Sequence, residues 1–416
     1  MSSIFVSAPL DLSALFDQMG QSLYQAWRKH DFHEDAFSPI ALEVCSGILE
    51  HPNVGYRDIL GWLAAAKSLP YQRRLDENFG QPSVTLYWTD SFLIEALFWH
   101  TGTTAIHQHG FSGAFGVLEG SSVHATYEFS VEKKINSRIM LGSTRLLGTE
   151  ILERRTVREI KRGSGLIHSL FHLDVPSVTV VVRTVEDRES GPEYAYSVPS
   201  VASDPAAFTP LLKKQIQALE LLIRMGSPDI KQYVLMLTEQ CDFFAAFQIL
   251  RTLRLGLPRP DIYEEVLAHL RSRFPDYVDM VKPAIEEEQR RSRIADLRRI
   301  IVDPDQRFFL ALLMNLSSAP SIFNLVRQRC PGVDAVKQAH EWILEIADVM
   351  PIGITFDGPL RELLYWMLQG ATKDEVKKKV VSRTGAARAA EQEKNAVIAY
   401  ERISDNLLLR SLFTCA

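Results

Sequence analysis

A change of texture near Val84 limits the folds open to this chain more than any other feature. From there to about Thr184 the sequence breaks into short runs of β-branched and aromatic residues, such as Ser83-Val-Thr-Leu-Tyr-Trp88 and Phe92-Leu-Ile-Glu-Ala-Leu-Phe-Trp99, punctuated by Gly and Asp. Before it, apolar residues recur at helical spacing over about 11–29, 37–51 and 56–68. Beyond about 210 nearly everything carries the helical period, as in Leu212, Ile216, Leu219 and Ile223, or Phe308, Leu312 and Leu316. These patterns predict an α+β chain, in which leading helices pack on a barrel or jelly roll that closes its own sheet edges, followed by an all-α domain. A length of 416 residues favours two domains. The expected boundaries are 1–70 for the helices, 71–190 for the barrel, 191–210 for a linker and 211–416 for the helical domain. Ser197-Val-Pro-Ser-Val-Ala-Ser-Asp-Pro205 has the turn-forming composition of such a linker.

A formal net charge of −5 provides no general reason to bind nucleic acid or anionic membrane. The four cysteines, Cys45, Cys241, Cys330 and Cys415, are too scattered for a disulfide framework or a metal-ligand spacing. The first residues lack a basic segment followed by a long apolar one, and no stretch reaches the roughly 18 uninterrupted apolar residues of a spanning helix. The expectation is a cytoplasmic protein, neither secreted nor membrane-embedded.

Within the β region lies the stretch Ile106-His-Gln-His-Gly-Phe-Ser-Gly113. Residues two apart on a strand share a face, so His107 and His109 present two imidazoles side by side. Neutral imidazole is the commonest nitrogen ligand of first-row metals. His168, in Gly163-Ser-Gly-Leu-Ile-His168, is the expected third ligand, and such a set leaves positions open for substrate and oxygen. His172, four residues on, is the alternative ligand or a partner of one. His100 and His124 read as structural or exposed, and Glu119, at an expected turn, as solvated. Gly110, Gly113, Gly116 and Gly120 read as turns and barrel corners, because no helix start with Gly-Lys-Ser/Thr follows to make a phosphate cradle. The run Glu286-Glu-Glu-Gln-Arg-Arg-Ser-Arg293 reads as a solvated helix face, and Phe243, Phe244 and Phe247 as core.

Tyr71-Gln-Arg-Arg-Leu75, the histidine motif through Gly120, and Gly165-Leu-Ile-His-Ser-Leu-Phe-His-Leu-Asp-Val-Pro-Ser-Val-Thr-Val-Val-Val182 occur in this order. Together these blocks resemble the cysteine dioxygenase family of cupins over roughly residues 60–185. The resemblance implies a cupin barrel holding mononuclear Fe(II) on His107, His109 and His168, without the acidic ligand of other cupins. The matching place, around Gly113 and Ala114, is small and apolar. It also implies that Arg73 grips a substrate carboxylate, a task suited to a planar bidentate fork, with Tyr71 beside it. The family's Ser-His-Tyr relay aligns with Thr179, Val181 and Arg183, so its histidine and tyrosine are absent. Gly113 stands where the family's cross-linking cysteine would be.

The resulting expectation is a non-haem Fe(II)-dependent dioxygenase that oxidises a small carboxylate-bearing substrate, a cysteine-like thiol foremost, with O₂. Arg73 or Arg183 would hold its anionic group. For Arg183, a surface charge at a strand end is an equal alternative. A catalytically silent metal-binding cupin that senses a ligand and signals to a partner is a second reading. A third is a metal-assisted isomerase or hydrolase, since Zn, Ni or Mn accept the same donors. The helical half is left to cover the barrel mouth, to form a homodimer or to bind a protein partner.

Overall fold

A computed structural model describes residues 12–73, 79–187, 191–257, 259–383 and 389–413. It divides into two compact units, Met1–Gln289 and Arg290–Ala416. Arg74 and Leu75 of the arginine motif, Cys415 and the first eleven residues, on which the absence of a signal segment was read, lie outside the described residues.

The first unit opens with α1 (Leu12–Arg28), α2 (Glu34–Glu50) and α3 (Tyr56–Ala65). Strands β1 (Ser83–Trp88), β2 (Phe92–Trp99), β3 (His107–His109), β4 (Gly113–Glu119), β5 (Ser122–Lys134) and β6 (Ile139–Leu152) follow. Then come β7 (Val157–Ile160), β8 (Gly163–His172), β9 (Ser177–Thr184), β10 (Ala195–Ser197) and β11 (Val201–Ser203). Helices α4 (Pro210–Met225), α5 (Ile230–Glu239), α6 (Phe243–Gly256) and α7 (Pro260–Arg273) lead into α8 (Val278–Ile300), within which the division between the units falls.

The strands build a five-stranded sheet in the order β1-β2-β9-β4-β7 and a closed antiparallel barrel in the order β10-β11-β6-β5-β8-β3. Helix α1 buries Leu12, Phe16, Gly20, Leu23 and Trp27, one stripe at helical spacing, against the sheet. Its approach is close enough that a Cβ at Gly20 would lie 2.3 Å from the Tyr87 ring. Alternation sorts β9 between two environments. Val178, Val180 and Val182 join the core under the helices, while Thr179, Val181 and Arg183 line a cavity on the other face. The same rule puts Glu95, Leu97 and Trp99 of β2 on the cavity side and Ile94, Ala96 and Phe98 under the helices.

Residues 191–210 are not a linker. They supply β10 and β11, which pair with β3 and β6 to close the barrel. Three-residue strands are too short to show an alternating pattern, so their Ser and Pro content reads as a connector. The expected domain boundary moves with them. Ile139, Leu141 and Val201 of the barrel share one core with Leu219 of α4, Phe244 and Phe247 of α6, and Leu267 of α7. The helices up to Gln289 therefore belong to the barrel's unit rather than to a single all-α domain from 211.

The second unit is helical, with α9 (Pro304–Asn315), α10 (Ala319–Arg329), α11 (Ala335–Val349), α12 (Gly358–Leu368), α13 (Lys373–Arg383) and α14 (Ala389–Ser404). Asp303, Asp334 and Asp357 cap α9, α11 and α12 by accepting backbone N–H bonds that no helical carbonyl can take. Among the described residues no helix is long and apolar enough to cross a membrane.

Candidate metal centre

His107 lies opposite His168 across the β3–β8 pairing, and the register shifts before His109. Such an irregularity re-aims side chains. Gln108, between the histidines, anchors the strand. Its Nε2 donates to the Pro192 carbonyl at 2.7 Å, and its Oε1 accepts from the Tyr196 hydroxyl at 2.5 Å.

The ring nitrogens of His107, His109 and His168 lie within 4.8 Å of one another, and among the described residues this is the group placed to hold a metal ion. His107 Nδ1 faces the Ala105 carbonyl at 2.9 Å. A carbonyl only accepts, so Nδ1 carries the hydrogen and Nε2 keeps its lone pair. His168 is set by a longer chain. His124 Nδ1 lies 3.0 Å from Glu150 Oε1, and His124 Nε2 lies 2.9 Å from His168 Nδ1. The carboxylate makes Nδ1 of neutral His124 the donor, its Nε2 then accepts from His168 Nδ1, and His168 Nε2 is left bare. Arg158 holds Glu150 from outside, through Nε at 2.9 Å and through Nη2.

Burial pushes all four imidazoles toward the neutral form, His109 and His168 most strongly, with the neighbouring histidines adding to the effect at His168. Neutrality is what a ligand nitrogen needs. His109 Nε2 and His168 Nε2 stand 2.9 Å apart. Two nitrogens at about 2.0–2.1 Å from one ion, seen from it at about a right angle, are separated by about 2.9 Å. This pair is spaced for one divalent ion, His107 completes a group of three neutral nitrogens that could hold it, and the donor set leaves the choice among Fe(II), Zn, Ni and Mn to other factors.

A cavity of about 220 Å³ adjoins the triad. Leu97, Trp99, Phe111, Phe115, Ile160 and Val181 supply apolar walls, with Phe79 and Glu193 among the exposed lining residues. Arg183 lines it too and is buried rather than a surface charge. Its Nε donates to Glu95 Oε1 at 2.8 Å and its Nη1 to the Thr184 carbonyl at 3.2 Å, while its guanidinium carbon lies 4.3 Å from the Phe111 ring centre.

The other expected site residues are placed differently. Arg73 is exposed, donates to the Val185 carbonyl at 3.1 Å, and lines a neighbouring depression with Gln72 and Thr85 rather than the triad's cavity. Tyr71 is exposed against Trp88, with ring centres 4.9 Å apart. Thr179 does line the cavity, and its hydroxyl accepts from Trp99 Nε1 at 3.0 Å. His172 lies outside the triad, since four residues along β8 carry it roughly 13 Å from His168. It is buried, stacks on Trp99 at 4.6 Å and meets the Ser122 hydroxyl at 2.8 Å through Nδ1. A cysteine at position 113 would not fit, because a Cβ there would lie 2.1 Å from the Val182 carbonyl oxygen.

His124 is the residue that sequence reasoning undervalued. It is buried on β5, directly across from Glu150 on β6 and diagonal to His168 on β8. Only the strand register brings the three together. No protein-family model matches the chain, and no curated protein matches it in sequence.

Proposed function

We propose that the chain is a cupin-like, mononuclear non-haem iron oxygenase that oxidises a small organic molecule with O₂. The observation that supports this reading is the convergence of three neutral imidazoles, with no carboxylate among them, beside a small apolar-walled cavity. Fe(II), when bound, supplies open positions where an organic substrate and O₂ exchange electrons. The chain's own residues do the rest. Ala105 and His124 hold the Nδ1 hydrogens of His107 and His168, which keeps both Nε2 atoms aimed at one point. Phe115, Trp99 and Leu170 line the cavity with apolar surface that disfavours water, and Arg183 is the cation placed to orient a substrate there. Arg73, outside this cavity, is left to the neighbouring depression.

Metal analysis and oxygen uptake test the reading together. Protein loaded with Fe(II) should retain about one ion per chain and consume O₂ with a small-molecule panel, and His107→Ala should lose both properties. Retention of the ion and of a bound ligand without oxygen uptake would replace the oxygenase by a ligand sensor. Turnover that proceeds equally without O₂ would point to an isomerase or hydrolase.

A further inference from the structure

Arg183 is the one cationic side chain among the described lining residues of the cavity, and it is already neutralised. Glu95 accepts from its Nε, the Thr184 carbonyl accepts from its Nη1, and Phe111 covers the guanidinium. A second carboxylate, Glu193, also lines the cavity and accepts from the Gly110 backbone N–H at 3.0 Å. The side-chain charges around the cavity are thus one guanidinium against two carboxylates. An anionic ligand bound to Arg183 would place a further carboxylate beside Glu95, where burial leaves like charges poorly screened.

Three further polar lining residues, Gln108, Thr179 and Thr104, are also paired. Gln108 is engaged with Pro192 and Tyr196, Thr179 with Trp99, and Thr104 accepts from the Leu170 backbone N–H at 2.6 Å. Against these stand the walls of Leu97, Trp99, Phe111, Phe115, Ile160 and Val181. A volume of about 220 Å³ suits a molecule of about one ring, since a cavity of about 150 Å³ admits benzene.

From these features we infer that the site takes an uncharged, largely apolar molecule of single-ring size, whose one polar group meets the Glu95–Arg183 pair as both donor and acceptor. The inference deepens the oxygenase reading and rests on it for the chemistry that follows binding. It departs from the carboxylate-bearing substrate expected from the sequence. A primary amide matches the pair, because its N–H can donate to Glu95 while its carbonyl accepts from Arg183.

Benzamide and benzoate, nearly equal in shape and different in charge, test it on the full chain, both Zn(II)-loaded and chelated, by calorimetry or saturation-transfer NMR. Benzamide should bind about tenfold or more tightly than benzoate to the chelated chain, where no divalent charge offsets the two carboxylates and like-charge juxtaposition is costly, and the Zn(II)-loaded chain should show a smaller ratio. Glu95→Gln, which leaves Arg183 uncompensated, should narrow or reverse that ratio. A preference for benzoate in the chelated wild-type chain, an unchanged ratio in chelated Glu95→Gln, or no binding of either probe up to about 10 mM, a level weak for any built site, would overturn it. If Glu95→Gln does not fold, the wild-type ratio decides alone. A chain that prefers benzamide but takes no metal sinks the oxygenase and leaves the ligand class standing. One that holds iron and, when chelated, prefers benzoate does the reverse.

Discussion

The barrel and the second unit both bury side chains that water would rather keep, and they use them in opposite ways. In the barrel, His109 and His168 are almost fully buried, yet their Nε2 atoms face each other at the edge of a cavity. In the second unit Arg290, Arg298 and Arg307 are as deeply buried. Two of them are held on backbone carbonyls near helix ends: Arg290 donates to Leu313 at 2.6 Å and to Met314 at 3.1 Å, and Arg307 donates to Ile301 at 2.6 Å. Burial, followed by the nearby Arg307 and Arg299, lowers Arg298 to about 10. Burial of a polar group is therefore no mark of function. Lone pairs that converge on open space are, whereas donors matched to orphan carbonyls do structural work.

The strongest attempt to break this contrast is His109→Ala. It should weaken metal binding at least about a hundredfold while the fold persists, because a three-nitrogen site loses a ligand. Metal titration alongside circular dichroism measures both, and an unchanged affinity would remove the triad. The mirror experiment is Arg307→Ala. By leaving the Ile301 carbonyl without its donor and opening a void, it should cost about 2–4 kcal/mol in denaturant unfolding. Metal affinity should not move, and a parallel loss of metal would dissolve the distinction between the regions.

Smaller effects sharpen the picture. His124→Leu should reduce metal affinity about 10–100-fold by freeing the orientation of His168, with Glu150→Gln at the lower end of that range. Equal affinity in both variants would reduce the chain to packing. The pH response of Glu150 is smaller again. Arg158 and His124 hold its carboxyl down to about 2, so the pair's stabilisation is present above the ordinary carboxylate range and fades as pH falls from about 5 toward 2. With a side chain 39% exposed, the effect should stay under about 1 kcal/mol. Glu150→Gln should flatten that acid limb of the stability curve, and an identical limb in both proteins would assign it to other carboxylates.

Several features were legible without coordinates. Apolar spacing located α1, α2 and α3 to within a few residues, because each helix buries one stripe. Alternation on a strand likewise set His107 and His109 on one side. His124 was not legible, because its value depends on which strands lie beside β5. The closing strands β10 and β11 hid in a Ser- and Pro-rich stretch. Arg183 and Glu95 are 88 positions apart, and only the pairing of β2 with β9 makes them neighbours.

What the sequence determined by itself was local. Side-chain periodicity specified where helices and strands form, and the spacing of two histidines specified a shared direction, since both follow from the geometry of a few adjacent peptides. Tertiary structure alone decided which distant groups meet: the third imidazole, the carboxylate behind His124, the counter-charge on Arg183, and the division at 289/290 rather than near 200. These depend on strand register and helix docking, where the free energy lies in contacts between residues that the chain order does not place together.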